Sequence, residues 1–201
     1  MADKLFDEIK KRINGYPEGE VFYTSRFVDI ASLATTRKCL GRLVDAGAIR
    51  RVMTGVYEKP KYSELLAEFL PPSPEKVASA LAEKYNWTIA PCGDIALNKL
   101  GLSTQVPVTL DFASDGPYRD FYVYNIKISF KHKSNREISN MSKMSIMVVQ
   151  AFKSLGRERV DERIISILRN RLSAEEKEIL LKETAGTISW VYENIKEVCS
   201  E

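Results

Sequence analysis

The chain has 201 residues, 44% of them apolar and 28% charged, with a formal net charge of only +3. A chain of that length forms one large or two small domains and hides roughly 70% of its unfolded surface, so it needs no metal or disulfide staple. Its three cysteines, Cys39, Cys92 and Cys199, are odd in number and far apart, which excludes a disulfide framework and a structural zinc site, and the net charge alone is too mild to argue nucleic-acid binding.

In chain order, Leu5, Ile9 and Ile13 recur every four residues and predict an amphipathic first helix over residues 3–14. Gly15-Tyr16-Pro17 ends it, and Val21-Phe22-Tyr23 is a short strand. Thr24 or Ser25 is expected to cap a second helix that turns Phe27, Ile30 and Ala31 inward. A third helix runs from Thr35 or Thr36 to about Ala46, with Gly47 suited to the left-handed position that follows a helix. A basic hairpin, Ile49-Arg50-Arg51-Val52 turning at Met53-Thr54-Gly55, closes this unit near Lys61. A short helical piece capped by Ser63 and carrying Leu65, Leu66 and Phe69 leads to Pro71-Pro72-Ser73-Pro74, the best linker candidate.

Beyond the prolines, Ser73 caps a helix with Pro74 at its first position and Val77, Leu81 and Tyr85 along one face. Residues 87–90 read as a buried strand, 94–100 as a short helix, and 108–113, 118–124 and 126–131 as strands. From Ser139 the pattern is helical, and Ser173-Ala174-Glu175-Glu176 is a capping box. The expected class is α+β: a winged helix-turn-helix over 1–62, a linker with a short helix over 63–74, a mixed α/β domain over 75–135, and a helical segment over 136–201 packing on it.

Charge is unevenly spread. Residues 26–62 hold eight bases against three acids, and residues 119–159 hold nine against three. On a helix starting at Thr36, successive side chains turn by about 100°, so Thr36, Leu40, Leu43 and Val44 share one face while Lys38, Arg42 and Asp45 lie opposite, with Gly41 beside them and Arg37 on the flank. A recognition helix needs that division, one face held by the core and the other carrying long donors into the major groove. Gly41 on the exposed side costs roughly 1 kcal/mol of helix propensity against alanine, which a close approach to a DNA backbone or to another helix would explain. The candidate DNA-contacting set is therefore Thr36, Arg37, Lys38, Gly41, Arg42, Arg50, Arg51 and Thr54. The plain alternative is a solvated basic face, or a winged helix used as a protein-interaction adaptor.

The N-terminal unit, the string Ile89-Ala90-Pro91-Cys92-Gly93-Asp94 continuing through Leu100-Gly101-Leu102-Ser103-Thr104-Gln105-Val106-Pro107, and the turn Ser114-Asp115-Gly116-Pro117 resemble the AbiEi-type antitoxin and transcriptional regulator superfamily, in particular its shorter uncharacterised members. The resemblance covers most of residues 1–135. It implies an N-terminal winged helix that represses its own operon and a C-terminal domain that counters a nucleotidyltransferase-type toxin encoded beside it, as in type IV toxin–antitoxin pairs, where direct binding of the toxin is not required. The hairpin turn here, Met53-Thr54-Gly55, is less basic than in many such relatives.

Enzyme readings fare worse. A metal-dependent nuclease wants two or more carboxylates converging on a cation with a lysine nearby, and Asp111, Asp115, Lys127 and Lys131 are the candidates. Residues 121–133 contain no acid, however, so Asp115 is expected to form a turn and Asp111 to pair with a neighbouring base. No Asp-x-Asp occurs for a nucleotidyltransferase, and no phosphate-binding loop is found. His132 is expected to be a surface residue and Cys92 a core filler. Alternation puts Lys127, Lys131 and Lys133 on one side of a sheet with Ser129, which is either a soluble face or a second phosphate or RNA surface. Together these readings predict a cytoplasmic, non-enzymatic autorepressor and antitoxin that binds operator DNA, takes no metal or cofactor and has no membrane partner. A nuclease and an adaptor are the rivals.

Overall fold

The four-residue spacing of Leu5, Ile9 and Ile13 forms α1 (Ala2–Asn14) in the computed structural model, which describes residues 2–200. The architecture is mixed α/β, and it divides into two compact units between Asn86 and Trp87.

In the first unit, β1 (Val21–Tyr23) leads into a single 3-10 turn over Thr24–Phe27 where an α-helix was expected. The stretch is too short to offset helix nucleation; farther on, the Ser32 hydroxyl oxygen accepts from the amide of Thr35 at 3.3 Å. That bond caps α2 (Leu33–Asp45), which therefore starts ahead of Thr35. Gly47, with φ of +69°, takes the left-handed turn after α2. The hairpin β2 (Arg50–Met53) and β3 (Val56–Glu58) joins β1 in a three-stranded antiparallel sheet of order β1-β3-β2. Ile9, Ile13, Phe22, Phe27, Leu40, Leu43, Ile49 and Tyr57 fill the core. Phe22 lies at its centre, with the rings of Tyr16, Phe27 and Tyr57 at 5.4, 5.8 and 6.1 Å; burying such a ring stabilises by about 1.5–3 kcal/mol.

The helix expected after Ser63 is instead a small hairpin, β4 (Tyr62–Ser63) and β5 (Glu68–Phe69). Ser63 does accept from the amide of Leu66, but Leu65 is 93% exposed and Leu66 and Phe69 also face out, so no buried stripe supports a helix. The helix α3 (Pro74–Tyr85) begins as its sequence dictates, with Ser73 as cap and Pro74 in the first turn. It belongs to the first unit rather than to a domain starting at 75. It lies against β1 and β3, Lys76 Nζ donates to Gly19 O at 2.8 Å, and Arg26 bridges Glu20 at 3.0 Å and Glu83 at 2.5 Å. The proline cluster is thus a connection within the first unit, and the division falls at Asn86, which ends α3 in the left-handed conformation.

The second unit is built on a four-stranded sheet, order β6-β7-β9-β8, made of β6 (Ile89–Pro91), β7 (Thr109–Ser114), β8 (Arg119–Val123) and β9 (Ile126–His132). Strands β7 and β9 are parallel and the other pairs antiparallel. Phe112, Phe121 and Trp87 surround Phe130 with ring centroids 5.4–6.0 Å away. Gly116 lies under Trp87, where an added Cβ would come within 2.4 Å of the indole. Between β6 and β7 runs α4 (Gly93–Lys99), and after β9 come α5 (Asn135–Ile138), α6 (Lys143–Leu155), α7 (Glu162–Arg171), α8 (Ala174–Thr184) and α9 (Ser189–Cys199). The capping box of Ser173 and Glu176 is formed as expected. Val148, Ala151, Phe152, Ile165, Leu168, Leu180, Val191 and Ile195 make the helical core, and α6 packs against α4 and β6.

Candidate nucleic-acid interface

Thr36, Cys39, Leu40 and Leu43 fix the inner face of α2, which leaves Arg37, Lys38, Arg42 and Asp45 exposed on the other side. Thr36 itself is wholly buried, its hydroxyl directed to Ala31 O at 3.4 Å. It supports the helix and is corrected out of the contact set. Gly41 has nothing within 4 Å of where a Cβ would stand, so no packing within the protein accounts for it. Arg42 is 57% exposed, yet its guanidinium covers the Phe6 ring at 3.9 Å and lies 3.7 Å from Asp3.

The two arginines of the hairpin part company. Arg50 donates from Nε and Nη2 to Glu58 Oε2 at 3.1 and 2.5 Å and from Nη2 to Leu70 O at 2.6 Å. Glu58 is only 2% exposed, so Arg50 neutralises a buried carboxylate and is corrected from ligand contact to structural residue. Arg51 is exposed and sits over the Tyr57 ring at 5.6 Å. Thr54 is exposed at the tip, its carbonyl 3.5 Å from Lys84 Nζ.

Lys84 is the residue that the sequence did not reveal. Together with Thr24, Ser25, Leu33, Arg37, Arg51 and the hairpin tip it lines a cleft of about 320 Å³ within the first unit. Three cations converge there from α2, β2 and α3, and none of the described lining residues is acidic. The spacing of α3 announced a helix, but only its packing on β1 and β3 carries Lys84 to the hairpin.

The basic sheet of the second unit is differently made. Lys127 bonds Asp120 at 2.7 Å, and Ser129 donates to the same carboxylate at 2.5 Å. The Lys127 ammonium, then the Ser129 hydroxyl, hold the Asp120 carboxyl below the usual range. Lys131 pairs with Asp111 at 3.2 Å, as expected of Asp111. Asp115, at the bend after β7, accepts from the amide of Thr88 at 2.9 Å, while His132 Nδ1 contacts Gly116 O at 2.9 Å.

A second cleft, of about 270 Å³, opens beside Asp111 and is lined by Cys92, Gly93, Asp111, Lys131, Lys133, Gln150, Lys153 and Ser154. Gln150 and Lys153 follow Ile146 along one face of α6, a face to which the sequence assigned no role. Lys153 is ion-paired with Glu137. Burial works to raise the Glu137 carboxyl, but the bond and charge of Lys153 outweigh it and leave its pKa lowered. Burial first, then the negative charge of Asp111, pushes the Cys92 thiol up to about 11, the opposite of an activated nucleophile. Among the described residues no group of three or more His, Cys, Asp or Glu is placed to hold a metal ion, and no helix is long and apolar enough to cross a membrane.

These features define a class: a two-unit mixed α/β protein whose N-terminal unit presents a basic cleft, with no acid among its described lining residues, between a helix and a hairpin. The chain belongs to the family of unknown function DUF6088, whose profile matches residues 8–180 and so runs across both units. No curated protein is significantly similar to it.

Proposed function

We propose that the chain is a sequence-specific DNA-binding autorepressor whose first unit is a winged helix. The observation that carries this reading is the cleft of Arg37, Arg51 and Lys84, bordered by exposed α2 on one side and the β2–β3 tip on the other and lined by no described acid. A DNA backbone phosphate in that cleft accepts charge-assisted hydrogen bonds from all three cations. The outer face of α2 then enters the major groove, Lys38 and Arg42 meeting base edges or phosphates, and Gly41 lets the duplex approach. Arg42 does so by leaving Phe6. The β2–β3 tip, with Thr54, serves as the wing.

The resemblance to AbiEi-type antitoxins supports the further step that the operator lies before the chain's own gene and that the second unit counters a nucleotidyltransferase-type toxin. A catalytic role is not part of this reading. The nuclease alternative needs converging carboxylates, and Asp111 instead holds Lys131. The test is binding to DNA upstream of the gene across a salt series. Arg37→Ala, Arg51→Ala and Lys84→Ala should each reduce the salt slope by about 1. Lys38→Ala and Arg42→Ala should weaken affinity or relax sequence preference. Unchanged affinity, slope and preference in all five variants would sink the reading.

A further inference from the structure

The second unit's cleft contains polar groups that the fold leaves unsatisfied. Among the described residues three buried side-chain polar atoms lack a hydrogen-bond partner, and two of them, Asp111 Oδ1 and Gln150 Nε2, belong to residues lining this one cleft. Such atoms cost about 1–3 kcal/mol each when left unpaired and call for a partner from outside the protein. Gln150 is 4% exposed and follows the buried Ile146 on the face of α6 that continues to Lys153 and Ser154 in the cleft lining.

The chemistry of the missing partner follows from the groups present. Asp111 Oδ2 is engaged by Lys131, and Oδ1 needs a donor. The phosphate group of a monoester, largely dianionic at neutral pH, has no donor to offer it. A hydroxyl does, and because it both donates and accepts, a hydroxyl also satisfies whichever end of the Gln150 amide meets it. Three ammonium groups, Lys131, Lys133 and Lys153, line the cleft; Asp111 pairs with the first and Glu137 with the last, which leaves Lys133 as the surplus charge among the described residues. An ammonium that pairs with one carboxylate keeps further N–H donors, so the surplus positive charge suits a phosphate monoester. The cleft is at the small end of ligand pockets, which run from about 300 Å³ upward, so it fits a fragment and not a strand laid across it.

We propose that this cleft binds the ribose phosphate of a ribonucleotide: the lysines take the phosphate, and the vicinal diol of the sugar supplies hydroxyls to Asp111 and Gln150. Carboxylate recognition of ribose hydroxyls is an established solution to the same chemical problem. The site is independent of the DNA-binding reading, since every lining residue lies in the second unit.

Isothermal titration of the full chain tests it with adenosine 5′-monophosphate, its 2′-deoxy analogue, adenosine and inorganic phosphate. The ribonucleotide should bind, and the deoxy form should bind about tenfold more weakly, because one buried group is again left unpaired. Asp111→Asn and Gln150→Leu should narrow that ribose-to-deoxyribose gap, whereas Lys133→Met should weaken both nucleotides alike; circular dichroism and thermal melts establish that each variant is folded. Tighter binding of a short 5′-phosphorylated RNA, with the same variant sensitivities, supports the site and assigns its ligand to a strand end. Absence of ribonucleotide binding at millimolar concentration, inorganic phosphate binding as tightly as the nucleotide, or a gap unchanged in both Asp111→Asn and Gln150→Leu overturns the proposal.

Discussion

Both units gather three cations around a cleft, and they treat those cations in opposite ways. In the first unit Arg37, Arg51 and Lys84 face a lining with no described acid, while the unit's buried carboxylate, Glu58, is neutralised elsewhere by Arg50. In the second, Lys131 and Lys153 are each held by a carboxylate, and polar atoms of Asp111 and Gln150 remain unpaired beside them. Cations without local acids attract any polyanion and read its backbone; their worth falls with salt. Cations tied to acids, with buried hydrogen-bonding atoms alongside, select for a ligand that brings hydroxyls as well as charge. Net charge alone, nearly balanced over the whole chain, hides this difference.

The comparison breaks first at Arg50. If it is a fold residue and not a fourth cleft cation, Arg50→Met leaves the Glu58 carboxylate buried and unpaired and should destabilise the chain by about 3 kcal/mol. A denaturant melt measures that, and the salt slope of DNA binding under native conditions should stay at the wild-type value. A stable variant with a slope reduced by one would return Arg50 to the interface.

Gly41 sharpens the same contrast with a smaller effect. Alanine there meets no neighbour and improves helix propensity, so Gly41→Ala should stabilise the protein by roughly 1 kcal/mol in a thermal or denaturant melt. The same variant should bind DNA more weakly, because the added methyl stands where the duplex approaches α2. Gain of stability with undiminished affinity would remove that face from the DNA.

Much of this fold was legible in the residues. The periodicity of Leu5, Ile9 and Ile13, the alternation across 108–131, and the caps at Ser73 and Ser173 are local signals, and local hydrogen bonding realises them. The site was legible only in part. Arg50 and Arg51 are identical in type and adjacent, and what separates them is pairing with β3, where Arg50 faces Glu58 and a register shift follows Arg51. Lys84 stands beyond a proline cluster that reads as a linker, and only the docking of α3 reveals its place. Gln150 gave no signal in the sequence, since spacing cannot say which helix position opens on a cleft. Thr36 fell on the inner face by helix geometry alone, and its burial agrees with that geometry rather than with a role in contact.

The smallest effect concerns acidity in the second unit. Glu137 is lowered below its ordinary pKa although burial works to raise it, because Lys153 prevails. A carboxylate lowered in this way contributes stability that is fully present above its unfolded value, about 4.3, and is lost as pH falls through the folded value. Carbon-detected NMR titration should therefore place the Glu137 midpoint below that value in the native chain. Lys153→Met removes the opposing charge and leaves burial as the leading influence, so the midpoint should move above the ordinary value and the sign of the pH effect should reverse. The first unit's cleft, lined by no described acid, has no comparable titration, and DNA binding through Arg37, Arg51 and Lys84 should not follow this transition. A Glu137 midpoint that stays put in Lys153→Met would mean that the pair does not govern this cleft's charge, and the contrast between the two basic surfaces would lose its electrostatic basis.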